Sequence, residues 1–235
     1  MFGIKGERPI GDVIFASCDS KYFQDFAIPL LYSANEHGNN LHIHIMNPVY
    51  DDIYTAQSLK SKLRVDFTYS YEERNINMRE YYSCNRFMVA PHFLETADRM
   101  LIIDADCLIM ETLEFPDADL GLYLRDPLPG TVGWENEGTH VAAGTVLYTK
   151  NSIDFAKDVA ISIYNHELKW FLDQVMLWRS YNKFKDQYKF YQFTEQDMDW
   201  QFVEGTKIWT GKGPRKYDNP TYCAEQQKYR DMHVL

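Results

Sequence analysis

Unbroken apolar runs alternate with segments of helical spacing through the first hundred residues, and this alternation restricts the chain more than any other feature. Residues 12–17 read as a buried strand, with Asp19 or Ser20 placed to cap the helix that follows. In that helix Phe23, Phe26, Ala27, Leu30, Leu31 and Ala34 recur at helical spacing, Pro29 bends the middle and Gly38 stops it. Residues 41–45 alternate as a strand, with His42 and His44 on its wetter face. Residues 51–63 read as a helix, 65–69 as a short strand, and 79–97 as a helix broken near Pro91 that delivers the chain to a strand at Met100. Such alternation predicts a mainly parallel sheet, covered by helices on both faces and joined by right-handed crossovers.

The second half is looser. Strands are expected at 120–124, 144–149 and 189–193, and helices over 152–167 and 170–181. Residues 126–140, with their Gly and Pro, read as a substrate loop. The polar stretch from Tyr217 onward is expected to wrap the body or fray.

A chain of 235 residues can bury a substantial core, and without repeats or a linker it is expected to form one domain over 1–235. Its 34 acidic side chains outnumber 24 Lys and Arg, for a formal charge of −10, which argues against nucleic acid as a partner. Cys18, Cys84, Cys107 and Cys223 stand far apart in no zinc-like spacing and read as reduced thiols of an intracellular protein. No apolar run approaches the ~20 residues that cross a bilayer, and Lys5, Glu7 and Arg8 interrupt the N-terminus before a signal core can form. The expectation is a cytoplasmic protein without an integral membrane segment.

Against that background the run Ile102-Ile103-Asp104-Ala105-Asp106-Cys107 stands out. Side chains alternate along an extended backbone, so Asp104 and Asp106 project from one side at the end of an apolar strand. In open α/β sheets that is where ligands bind. Paired carboxylates suit a hard cation that completes its shell with water and phosphate oxygens; a solvated acidic turn is the competing reading. Asp-x-Asp occurs twice more, at Asp117 and Asp119 in an expected loop and at Asp197 and Asp199 in a polar stretch, so position rather than the tripeptide carries the signal.

Further residues carry two readings each. Asp19 caps a helix or contacts a ligand, with Tyr22 close by. Arg86 is a surface arginine, or it neutralises a carboxylate or grips a phosphate. Asp173-Gln174 lies on an exposed stripe of an aromatic helix, or it is buried and requires a partner. Residues 207–216 concentrate four cations around Gly211 and Gly213, as a solvated loop or as a phosphate clamp, without being a Walker motif.

Taken in order, these segments resemble the family 8 glycosyltransferases, retaining enzymes of the GT-A fold that use nucleotide sugars. Residues 14–22 are similar to the family's opening strand and its Asp-x-x-Tyr, whose aspartate reads the nucleotide base. Arg86 lies at the family's distance before the metal motif, and residues 101–106 resemble its Leu-Asp-x-Asp. Ala142-Ala143-Gly144 resembles the Asn-Ala-Gly strand at the donor sugar, and Asp173-Gln174 the pair beside the reacting carbon. Ile208-Trp209-Thr210-Gly211 with Lys212 resembles the closing His-Phe-x-Gly-x-x-Lys loop.

The resemblance implies a mainly parallel GT-A sheet flanked by helices, with a small antiparallel extension after the Asp pair. It implies transfer of a hexose, glucose or galactose, from a UDP-sugar to a hydroxyl of a glycan, lipid or protein, with retention and assisted by Mn²⁺ or Mg²⁺ on Asp104 and Asp106. Nucleotide contacts would fall on Ala16, Asp19, Tyr22, Arg86, Asp104 and Ala105. The donor sugar would meet Arg86, Ala142, Ala143, Asp173 and Gln174, the last two as catalytic residues. The diphosphate would meet Gly211, Lys212, Arg215 and Lys216. Two departures bear on this: Ile208 stands where the family has a metal-binding His, and Ala142 where it has Asn. The first weakens the metal site and shifts weight onto Lys212, Arg215 and Lys216; the second leaves the donor sugar unread. The rival readings are a catalytically silent sugar-nucleotide or glycan-binding module and a sugar-phosphate nucleotidyltransferase, which would show a Gly-rich basic loop after the first strand.

Overall fold

The computed structural model describes residues 3–76 and 78–234. After a two-residue edge strand, β1 (Lys5–Gly6), the first long strand is β2 (Gly11–Asp19). Its side chains alternate between two cores: Ile14, Ala16 and Cys18 enter one, Val13 and Phe15 the other. A strand buried on both faces requires helices on both sides of the sheet. On the first side α1 (Ser20–Tyr22), a π-helical stretch Phe23–Ala27 and α2 (Ile28–Glu36) follow one another directly. β3 (Leu41–Met46) leads to α3 (Tyr50–Lys62), which adds Ala56 and Leu59 to the same core. β4 (Phe67–Glu72) precedes α4 (Arg79–Phe93), which crosses to the other face with Phe87, Val89 and Phe93 and returns the chain to β5 (Ala97–Ile103).

The remainder completes the sheet and its second cover. It comprises β6 (Cys107–Ile109), β7 (Leu120–Leu124), α5 (Gly133–Thr139), β8 (Val141–Thr149), α6 (Ile153–Tyr164) and α7 (Leu172–Phe184). β9 (Phe190–Gln192), β10 (Met198–Asp199), β11 (Ile208–Thr210), α8 (Arg215–Asp218) and α9 (Pro220–Val234) follow.

The main sheet has the order β1-β4-β3-β2-β5-β8-β7-β9. β4, β3, β2 and β5 run parallel, while β8 is antiparallel between β5 and β7 and sets Thr145 opposite Ile103. β10, β11 and β6 form a second, small sheet, in which β11 runs antiparallel to β6 with Ile208 opposite Ile109 and Thr210 opposite Cys107. This is the antiparallel extension expected after the Asp pair. All four cysteines are unpaired, and among the described residues no helix is long and apolar enough to cross a membrane.

Three local expectations change. The strand placed at 65–69 lies at Phe67–Glu72, and His42 and His44 are not on a wet face but fully buried. One fact explains both. β4 buries the polar side chains of Ser70 and Glu72 against β3, where Ser70 Oγ lies 2.8 Å from both His42 Nε2 and His44 Nδ1. Thr68 Oγ1 lies 2.8 Å from His42 Nδ1, and burial holds both imidazoles neutral by pushing their pKa values down. The network continues to the first strand: Tyr81 and Asn85 each donate to Glu72 Oε1 at 2.7 Å, and Asn85 accepts from Ser17 at 2.8 Å. Within the expected loop 126–140, residues 133–139 are helical.

The C-terminal stretch neither frays nor trails, because its start carries a cap. Asn219 Oδ1 accepts from the backbone N–H of Thr221 and Tyr222 at 3.0 and 3.1 Å, and Pro220 occupies the first helical position, where no N–H is needed. The resulting α9 buries Tyr222, Gln226 and Tyr229 against the body. Pro29 prepares its seat. Pro29 has no N–H to offer the carbonyl of Asp25, four residues earlier, and Gln226 Nε2 (3.2 Å) and Arg230 donate to that carbonyl.

Glu72 supplies a test of the buried network. Burial alone would raise its pKa, but His44, Tyr81 and Arg74 outweigh that and hold it at about 2, below its ordinary 4.5. A depressed carboxylate stabilises the fold above its unfolded pKa and loses that contribution as pH falls through the folded value. Equilibrium unfolding should therefore show on the order of 3 kcal/mol lost between about pH 4.5 and pH 2, and Glu72→Gln should flatten that slope.

Candidate functional site

The chain runs from β2 outward through β3 and β4, then returns to β5 on the opposite side of β2. The carboxyl ends of β2 and β5 therefore flank the switch point of the sheet, where a crevice opens in folds of this kind. Asp19 ends β2 and Asp104 follows β5 directly. Both readings of Asp19 bear on its geometry: its Oδ1 accepts from the Tyr22 N–H at 2.8 Å, so it does cap α1.

Two clusters form around the Asp pair. In the first, α4 sends Arg86 beneath the end of β5. Only 6% exposed, Arg86 donates through Nη1 to Asp104 and through Nη2 to the Ala143 carbonyl (3.1 Å), and stands 3.5 Å from Asp173 Oδ2. Asp173 is itself buried at 5% exposure in the first turn of α7, so it is not on an exposed stripe. Burial pushes the Asp173 carboxyl up, and the Arg86 guanidinium opposes that shift. Burial likewise works against the charge of Arg86, but Asp104 and Asp173 more than restore it. Gln174 donates its backbone N–H to Asp173 Oδ1 (2.9 Å). Turned so that its nitrogen faces the carbonyls of Val141 and Gly138, its amide donates to them at 2.6 and 3.1 Å and ties α7 to the start of β8.

In the second cluster the chain after β11 folds back on Asp106. The Gly211 N–H and the Tyr222 hydroxyl both donate to the Asp106 backbone carbonyl, at 2.9 and 2.7 Å. Lys216 Nζ donates to Asp106 Oδ2 at 2.6 Å and to the Tyr22 hydroxyl at 2.8 Å. Burial, followed by the neighbouring Asp104, raises the Asp106 carboxyl, and Lys216 counters both. The ammonium is held above its ordinary range by Asp106 and Tyr22 despite the cost of burial.

Lys212 and Arg215 are exposed on the same loop, and Lys212 Nζ lies 4.6 Å over the Trp200 ring. Ala16, Ala105 and Ala142 are core residues whose methyl groups are buried; the first two sit beside Asp19 and Asp104, and Ala142 on β8. The two glycines of the recognised motifs have a steric reason. A Cβ on Gly144 would stand 2.9 Å from Asp104 Oδ2, and one on Gly211 would stand 2.7 Å from Lys216 Cβ.

The other Asp-x-Asp copies are structural. Asp197 accepts from Tyr191, Thr194 and Lys207, and Asp199 from the N–H groups of Gln201 and Val203 at 2.7 and 2.8 Å. Asp117 pairs with Lys189 and Asp119 with Asn151, at 2.6 and 2.7 Å.

Sequence reasoning missed Arg125, one residue past β7, whose Nε donates to the Thr139 carbonyl at 2.7 Å. Although Lys212 is exposed as a whole, the packing around its ammonium, and then the charge of Arg125, lowers its pKa. The position of Arg125 just beyond a strand end was the available signal.

The residues do not, as arranged, fit a resident divalent cation. Asp104 is bonded to Arg86 and Asp106 to Lys216. Among the described residues no three His, Cys, Asp or Glu side chains converge as a metal site would require. Ile208 is 2% exposed in the apolar core and offers no ligand.

No protein-family model and no curated protein matches the chain. Solved structures do. The galactosyltransferase LgtC, in complex with donor and acceptor sugar analogs, superposes with a TM-score of 0.63 at 13% identity over 95% of each chain. The apo-form glycosyltransferase GlyE of Streptococcus pneumoniae TIGR4 gives 0.60 at 14% identity, covering 97% of this chain and 61% of GlyE. The bifunctional glycosyltransferase WbbM gives 0.60 at 10% identity, covering 97% of this chain and 52% of WbbM. The large mixed sheet between two helical layers is thus the GT-A fold of glycosyltransferases.

Arg86→Met should destabilise the protein by about 3–5 kcal/mol in urea unfolding, since it strands the Asp173 and Asp104 carboxylates. In an Asp173→Asn background the same substitution should cost less, and Arg86→Lys should not restore the loss, because one ammonium lacks the planar fork that meets several acceptors.

Proposed function

We propose that the protein is a retaining glycosyltransferase that moves a hexose from a UDP-sugar to a hydroxyl acceptor. One observation carries the reading: at the switch point of a GT-A sheet, a single buried Arg86 holds Asp104 and Asp173 on either side of it, beside a loop bearing Lys212, Arg215 and Lys216. Asp19 and Tyr22 lie on the β2 side, where the nucleotide would enter. That LgtC was solved in complex with donor and acceptor sugar analogs supports a place for each kind of ligand here.

In the reaction the bond from the anomeric carbon to the diphosphate oxygen breaks, with its electron pair leaving on that oxygen. A new bond forms to the acceptor oxygen, and the acceptor's hydroxyl proton passes to the departing diphosphate. Charge grows on the leaving group, so positive side chains fixed beside it favour the transition state over the ground state. Lys212, Arg215 and Lys216 fill that role. Asp173, held by Arg86, faces the developing positive charge of the sugar ring, with Gln174 beside it. The expected Mn²⁺ or Mg²⁺ would have to displace Arg86 and Lys216 from the carboxylates. The acceptor is a hydroxyl of a glycan, lipid or protein, and glucose and galactose are the donor sugars to try first.

UDP release from a panel of UDP-hexoses, with and without an added acceptor, tests the reading. One donor should be turned over, and Asp173→Asn should lower kcat by about 10²–10³. UDP binding without turnover of any donor would favour a silent binding module, and neither binding nor turnover would overturn the proposal.

A further inference from the structure

A divalent ion on a carboxylate pair has two effects at a diphosphate site. It cancels negative charge that would repel the phosphates, and it offers positive charge to the leaving oxygen. Here both carboxylates already have a cation of their own. Asp104 is met by Arg86, and Asp106 by Lys216 at 2.6 Å.

The position of Lys216 is built rather than incidental. Its side chain is 10% exposed and that of Asp106 is 8% exposed, so the pair is shielded from solvent. Besides Asp106, the ammonium bonds the Tyr22 hydroxyl, and it lies 4.9 Å and 5.4 Å from the ring centres of Tyr22 and Phe26, which attract a cation. The backbone that delivers it is fixed by two hydrogen bonds to the Asp106 carbonyl, from Gly211 and Tyr222. Gly211 matters because a side chain there would collide with Lys216 Cβ. The position from which a third ligand would come is held by Ile208, which faces the apolar core.

We infer that Lys216 is a built-in substitute for the divalent cation, so that the protein binds a nucleoside diphosphate without metal. Arg86 matches the other carboxylate, and Lys216 presents its charge where the cation's would have stood. The inference rests on the nucleotide-sugar reading above, and its test separates the two.

Isothermal titration with UDP, in EDTA and in Mn²⁺, is the first arm; Mn²⁺ titration of the nucleotide-free protein, followed by the electron paramagnetic resonance signal of the free ion, is the second. Wild-type protein should bind UDP with affinities within about twofold in the two conditions, and should leave the free Mn²⁺ signal unchanged. Lys216→Met should lose about tenfold or more in UDP affinity in EDTA and regain part of it in Mn²⁺, whereas Lys216→Arg should keep metal-free binding. A tenfold or greater loss of wild-type UDP affinity in EDTA would overturn the inference and leave the glycosyltransferase reading standing. So would uptake of Mn²⁺ by the nucleotide-free wild type. UDP binding in neither condition would overturn the nucleotide-sugar reading, and this inference with it. The wild-type arms decide the matter even where Lys216→Met does not fold.

Discussion

A buried guanidinium is the constraint on which the site depends. Arg86 reaches from α4 under the end of β5 and joins it to β8, through the Ala143 carbonyl, and to α7, through Asp173. Elements far apart in the sequence, already neighbours through the pairing of β5 with β8, are thereby tied together at the site itself. A fully desolvated charge persists only when its partners offset the loss of water, so Asp104 and Asp173 are as necessary to Arg86 as it is to them. Relaxed packing would break the arrangement: Gly144 leaves just enough room for the Asp104 carboxylate.

The second constraint is electrostatic. A chain with a formal charge of −10 repels anions at long range, yet its crevice gathers Arg86, Arg125, Lys212, Arg215 and Lys216. On the proposed reading, recognition of a diphosphate would belong to contact distances, where the buried Arg86 and Lys216 are screened little by salt. This distribution suits a compact anionic ligand held between walls better than an extended polyanion on the surface.

The parallel centre of the sheet was legible because buried strands announce themselves as apolar runs, and the strand end marked Asp104 among three similar tripeptides. What stayed hidden is polar and long-range. Lys216 and Asp106 are 110 residues apart, and no periodicity links them; only the pairing of β11 with β6 brings them together. His42 and His44 alternate with apolar residues as solvent-facing side chains do, but β4 answers them with Thr68 and Ser70. The strand pattern was right and the face wrongly assigned, since alternation reports two chemical environments without saying that one is water. The capping signal of Asn219-Pro220 was present, and a low apolar content masked the helix it starts.

The missing N–H of Pro29 reaches further than its own helix. The Asp25 carbonyl, to which it offers no donor, is taken by Gln226 and Arg230 of α9, and α9 follows directly on the segment that carries Lys216. The segment that carries Lys216 is therefore pinned from both sides, by its own bonds to Asp106 and Tyr22 and by the anchorage of the helix that follows it.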